Sequence, residues 1–210
     1  MRTDDLIAAL AADTASRRPD LDRSWLLALA AGGLLAVLVF LGAVGPRADL
    51  AQAIQTPRFD FKFVLTLSLA VPAFFALRAL AIPGAKVPLA ALALAPALGI
   101  MAVIAELIVL PADVWAMSAV GKNARYCLTF IPLIGVAPLA AFIAVLRHGA
   151  PTRPALAGAV AGLLAGGIAA TLYAIHCTDD SPLFVMTWYP LAIAILILAG
   201  AALGRIFARW

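Results

Sequence analysis

Six long apolar stretches, each free of Asp, Glu, Lys and Arg or holding a single one toward an end, restrict this chain more than any other feature. A bilayer core about 30 Å thick is crossed by roughly 20 apolar residues at 1.5 Å each, and a helix satisfies its backbone hydrogen bonds within that one segment. Residues 25–44, 126–146, 154–177 and 183–204 are charge-free and long enough. Residues 87–109 meet only Glu106, and residues 63–82 hold Arg78, whose stem can carry its charge out to the headgroups. Composition agrees: 65% of residues are hydrophobic and 12% charged, where a soluble domain is about half apolar and about a quarter charged. The expectation is an all-α membrane protein, a six-transmembrane-helix bundle in one domain over residues 25–210, preceded by a leader over residues 1–24. Pro and Gly punctuate the runs at Gly45-Pro46, Pro83-Gly84, Pro111, Gly121 and Gly149-Ala-Pro151, and the even spacing predicts antiparallel neighbours.

Orientation follows from the loop cations. With the N-terminus inside, ten Lys and Arg fall in cytoplasmic segments, among them Arg2, Arg17, Arg18, Arg23, Arg78, Lys86, Arg147 and Arg153. Five fall outside: Arg47, Arg58, Lys62, Lys122 and Arg125. Both termini are therefore expected in the cytoplasm. The first apolar run begins only at Trp25, after an acidic and polar leader, which reads as a permanent helix rather than a secretory signal.

Several functions lack their residues. The net charge of +4 comes from cations scattered between apolar runs, not from a stripe, so direct nucleic-acid binding is disfavoured. No His-Glu-x-x-His, Gly-x-Ser-x-Gly or phosphate-binding glycine loop occurs, and the chain is read as a non-enzyme. Glu106, Arg78 and His176 fall near boundaries rather than at mid-depth, where proton-coupled carriers keep such groups. Gly158, Gly162 and Gly166 recur every fourth residue in the fifth span, and Gly200 and Gly204 repeat the interval in the sixth; small residues so spaced let helix backbones approach, and helix packing is their expected role.

Two places hold chemistry. Under this topology Cys127 and Cys177 lie at the outer face, where an oxidising compartment pairs thiols and soft metals bind them. His176, Cys177, Asp179 and Asp180 form a His-Cys-x-Asp-Asp cluster that, with Cys127, can supply ligands to a transient soft-metal ion such as zinc or cadmium. A structural disulfide and inert packing are the other readings of the two cysteines. In the leader, Leu6, Ile7, Leu10 and Ala11 make an apolar stripe on a short helix, with Thr3 as its cap and Asp4 and Asp5 at its positive end. Lacking a basic face, that helix suits a protein groove at least as well as a lipid surface.

Thr3-Asp-Asp-Leu-Ile with Leu10-Ala-Ala-Asp13, Gly45-Pro-Arg-Ala-Asp49, the turn from Arg78 to Pro83-Gly84, Cys127-Leu128, the Gly158 to Gly167 run, Tyr173-Ala-Ile-His-Cys177, Asp179, Asp180, Ser181 and Trp188-Tyr189 occur in order along nearly the whole chain. In these pieces the chain resembles the NrsF-like family of six-helix inner-membrane anti-sigma factors. The resemblance implies a protein of the bacterial inner membrane that sequesters an extracytoplasmic-function sigma factor and releases it under metal or redox stress of the envelope, with Cys127 and Cys177 as the sensing pair. Leu6, Ile7 and Leu10 are the candidate contact with that partner, and the short loops at Arg78 to Lys86 and Arg147 to Arg153 compete for the role. The alternative is a small multi-pass transporter or channel for a neutral solute.

The cation asymmetry yields a direct test. Cysteine-accessibility labelling or reporter fusions should place Met1 and Trp210 inside and Asp179 outside; an outward N-terminus would overturn the orientation and the regulator reading together.

Overall fold

The computed structural model describes residues 2–14 and 21–208, and the side chains of residues 2–8 and 21–208. The described elements are all helical: α1 (Thr3–Thr14), α2 (Leu21–Ala43), α3 (Leu50–Ala53), α4 (Pro57–Leu80), α5 (Leu94–Val109) behind a 3-10 segment (Leu89–Ala93), α6 (Trp115–Val120), α7 (Ala124–Leu146), α8 (Pro154–Ala174) and α9 (Pro182–Phe207). Six helices are long and apolar enough to cross a membrane by length and composition.

Three local features differ from the expectation. The second long helix starts at Pro57 instead of residue 63, because Thr56 is extended and Pro57, with its preset φ, fills the first turn. Lys62 therefore lies inside α4, on the face that buries Phe59, Leu65 and Thr66, and not in an outer loop. The fifth long helix stops at Ala174 rather than residue 177, leaving His176 and Cys177 in the connection to α9. Between α5 and α7 the chain folds an additional short helix, α6.

Chain order does not set the packing order. α8 is the hub and packs on α9, α4 and α7, while α2 packs chiefly on α7, and α5 on α4 and α9. The reason lies in side-chain size. Where lipid replaces water, apolar surface gives helices no net drive to associate, and close van der Waals contact of backbones takes over. A Cβ on Gly158 would sit 2.0 Å from the Gly200 carbonyl oxygen, and one on Gly162 would sit 2.1 Å from that of Leu196. From the other side, Cβ atoms on Gly200 and Gly204 would meet the carbonyls of Gly158 and Pro154 at 2.2 and 2.3 Å. Gly167 presents its open face to Ala70 of α4, and Gly32 of α2 faces Pro138 of α7 in the same manner.

Large apolar residues accordingly point outward: Leu34, Leu38 and Leu41 of α2 and Ile100, Met101, Ile104 and Ile108 of α5 are exposed. Inward, the core divides by depth. Trp25, Leu77, Phe142 and Leu146 cluster at the end where Leu21 and Ala208 lie, and Phe40, Cys127, Ile131, Tyr173 and Phe184 at the far end. The near end is tied by an Arg78–Asp22 ion pair between α4 and α2, and by the Ala150 N–H donating to the Ala81 carbonyl at 3.0 Å.

The α8–α9 contact makes glycine substitutions position-dependent. Gly158→Ala and Gly162→Ala should each destabilise the bundle by about 1–3 kcal/mol through overpacking. Gly42→Ala in α2, where an added Cβ meets nothing within 4 Å, should be neutral or stabilising. Melting in detergent measures both, and equal effects at the three sites would refute the close-approach account.

Candidate functional site

The far end gathers a layer of polar groups around the two cysteines. Cys127 stands in the first turn of α7 and Cys177 in the α8–α9 connection; both are free thiols with no exposed surface. The two share one buried cluster, and Cys177 Sγ donates to the Asp179 carbonyl at 3.7 Å. Tyr173 and Tyr189 pack beside them, ring centroids 6.1 Å apart, and their buried hydroxyls have no hydrogen-bond partner.

Two charged sets hold this pair in place. Asp179 reaches back to α7: its Oδ2 accepts from the Lys122 and Asn123 N–H groups at 2.9 and 2.8 Å and from Asn123 Nδ2 at 2.9 Å. It thus supplies acceptors at the positive end of the helix that carries Cys127. Gly121 permits the tight approach, with φ +55° and Asp179 Oδ2 only 2.8 Å from where a Cβ would stand. The other set grips Cys177. Its carbonyl accepts from Lys62 Nζ at 2.8 Å and from Arg47 Nη1 at 3.3 Å, and both cations also pair with Asp180. Arg47 forks onto Asp49 at 2.7 and 2.8 Å, and Lys62 lies 5.1 Å from the Phe59 ring centroid.

Electrostatics follows from these contacts. Hydrogen bonding to Arg47 holds the Asp49 carboxyl below its ordinary range, and Asp49 with Asp180 keeps the Arg47 guanidinium charged against burial. The hydrogen bond from Cys127, aided by the Lys62 charge, holds the Cys177 thiol below the usual thiol range although burial pushes the other way.

Of the residues expected as metal ligands, the structure brings Cys127 and Cys177 together and sends the rest elsewhere. His176 Nδ1 donates to the Gly45 carbonyl at 2.9 Å, Asp179 binds the backbone just before α7, and Asp180 is occupied by two cations. Among the described residues no three of His, Cys, Asp and Glu converge to hold a metal ion. Five ligands around one ion is thus not the geometry here, since each backbone or cation partner offsets what an ion would supply.

Sequence reading missed three contributors. Lys62 and Arg47 looked like loop cations, though the spacing of Phe59, Lys62 and Thr66 behind Pro57 is that of one helix face. Glu106 accepts from Ser181 Oγ at 2.8 Å and the Leu183 N–H at 2.9 Å, capping α9 from α5, with Arg58 3.4 Å away. No local sequence signal marks that pairing.

In the leader, α1 leaves Leu6 43% and Ile7 60% exposed; the side chain of Leu10 lies outside the described residues. Its first turn closes by the Arg2 N–H donating to Asp5 Oδ2 at 3.3 Å.

The far end is thus a helical bundle's polar layer of caps and clamps around two buried thiols, and comparison with known proteins specifies the kind of protein that carries it. Residues 10–210 match the family described as negative regulator of sigma F. The chain is 39% identical over 215 residues, covering both chains in full, to the anti-sigma-F factor NrsF of Caulobacter vibrioides. It is 38% identical over 216 residues, again in full, to the probable anti-sigma-F factor NrsF of Azospira oryzae. No solved structure matches it. The chain belongs to this family of anti-sigma factors, and its role is regulatory and not enzymatic.

The capping geometry carries its own test. Asp179→Ala removes the acceptor of two backbone N–H groups and should destabilise the far end by about 1–3 kcal/mol. Amide hydrogen exchange over residues 122–127 should quicken while exchange in the centre of α8 stays slow. Unchanged exchange there would show that Asp179 does not hold the start of α7.

Proposed function

We propose that the protein is a multi-pass anti-sigma factor of the bacterial cytoplasmic membrane, with both termini cytoplasmic. It holds an extracytoplasmic-function sigma factor at the inner face and releases it when metal or redox stress in the envelope acts on Cys127 and Cys177. The observation that carries this reading is the pair of buried, free thiols in one cluster at the end of the bundle opposite Leu21 and Ala208, in a chain of the sigma-F regulator family. Further support comes from the outward belt of Leu and Ile, which suits lipid, and from the excess of cations in the segments assigned to the cytoplasm.

The leader is the proposed contact. Its exposed Leu6 and Ile7 match an amphipathic helix laid in a groove of the partner, and Leu10 falls on the same helical stripe. The transporter alternative loses its footing in the family assignment.

One experiment separates the two halves of the proposal. The solubilised protein should co-purify with its sigma factor, and replacing Leu6, Ile7 and Leu10 with Asp should abolish co-purification and free sigma activity while leaving insertion intact. The Cys127→Ser, Cys177→Ser double variant should still bind but give one fixed output, with no response to cadmium or peroxide. A normal response from that variant defeats the sensing half; unchanged repression by the leader variant moves the contact to the loops at Arg78 to Lys86 or Arg147 to Arg153.

A further inference from the structure

Cys177 has no helix to aim it. α8 ends at Ala174, so the backbone at Cys177 is held by its N–H, which donates to the Tyr173 carbonyl at 3.0 Å, and by its carbonyl, which two cations grip. One of those cations is anomalous. Lys62 is 1% exposed, on a helix face where an apolar side chain would pack, and its ammonium is spent on the Cys177 carbonyl, the Asp180 carboxylate and the Phe59 ring. Buried ion pairs seldom stabilise a fold more than apolar packing of the same volume, so stability alone does not account for this lysine. Orientation does. A bridge between two cysteines demands Cβ atoms about 3.5–4.5 Å apart, and rotation of the peptide at Cys177 would swing its sulfur away from Cys127.

We propose that Lys62 is the positioning residue of the thiol pair: by fixing the Cys177 carbonyl and Asp180 it faces the Cys177 sulfur toward Cys127, and as part of α4 it moves when the pair is bridged. This deepens the sensing role given to the cysteines above and rests on it for its biological meaning. Segment 177–180 then places both thiols at once, Asp179 through the start of α7 and Asp180 through Lys62. Along α4, Arg78 pairs with Asp22 in the first turn of α2, next to the leader, so a shift of α4 at Lys62 has a direct mechanical path to that root. The chemistry balances with hydrogen peroxide as oxidant: each thiol gives up one proton and one electron, one S–S bond forms, the O–O bond breaks, and two waters leave.

The test uses the full-length protein in detergent, reduced and then exposed to hydrogen peroxide, with bridging read by the mass shift of a maleimide polymer on remaining thiols. Lys62→Met should slow bridging at least ~10-fold, since an ångström of misplacement suffices for such a loss, and Lys62→Arg should recover it to within about threefold. Asp180 keeps Arg47 at 2.9 Å in the Met variant, so its carboxylate is not stranded. Bridging at the wild-type rate in a folded Lys62→Met protein would overturn the proposal, as would equally slow bridging in Lys62→Arg. Should the Met variant not fold, the wild type decides: amide exchange over residues 59–66 should differ between reduced and bridged protein, and identical exchange would overturn the proposal. These readouts need no sigma factor, so they can fail while the sensing role stands, and a peroxide-responsive Cys127→Ser, Cys177→Ser variant would end the sensing role while leaving them intact.

Discussion

The contact of α8 with α9 is backbone against backbone, and the remaining architecture hangs on it. With the Gly158, Gly162, Gly200 and Gly204 carbonyl and Cα atoms in direct touch, the two helices lie too close for any side chain to intervene. The opposite faces of α8 are Ala-rich as well, with Ala157, Ala161, Ala165 and Ala169 fully buried, so α4 and α7 also close in. Dispersion between well-fitted atoms is the cohesive force available in such a bundle. The bulky residues displaced from the hub form the outward belt that suits hydrocarbon.

A rigid hub fixes where its last residues point. Tyr173, near the end of α8, meets Tyr189 of α9 edge to face, and the chain leaves the helix at Ala174 to bring Cys177 into the same buried cluster as Cys127. The far end is stitched by two carboxylates: Glu106 of α5 accepts from the Leu183 N–H in the first turn of α9, and Asp179, in the α8–α9 connection, accepts from the Lys122 and Asn123 N–H groups just before α7. Both carboxylates sit at a helix start, where the helix dipole favours negative charge. Lys62 and Arg47 complete the layer from α4 and the α2–α3 connection, and together these bonds leave the two thiols buried, adjacent and free.

Communication between the thiols and the near end requires two packings close in free energy, because a stimulus shifts an equilibrium only by its differential affinity for the two states. A hub held by backbone contact is a poor place for such a pair of states. The peripheral helices are better suited: α4 carries an ionic tie at each end, Lys62 to Asp180 and Arg78 to Asp22, and α5 packs only lightly on α4 and α9. The ionic contacts that run from the Cys177 segment to the near end thus lie along α4, at Lys62 and Arg78, rather than along α8.

How much of this was legible in the sequence depends on whether the cause was local. The six apolar runs, the glycine interval and the prolines at helix starts are properties of single segments, since hydrocarbon length and backbone hydrogen bonding act on each segment by itself. The resemblance to the sigma-F regulators, written in short motifs along the chain, was equally open to reading and led to the right family. Tertiary structure alone decided that α2 packs on α7, that Glu106 of α5 caps α9, that Lys62 is buried on the Cys177 carbonyl, and that His176 and Asp180 are engaged away from the thiols. Each of these pairs residues far apart in the chain, and a side chain's partner across that distance is set by which helices the glycines allow to touch, a quantity no single segment contains.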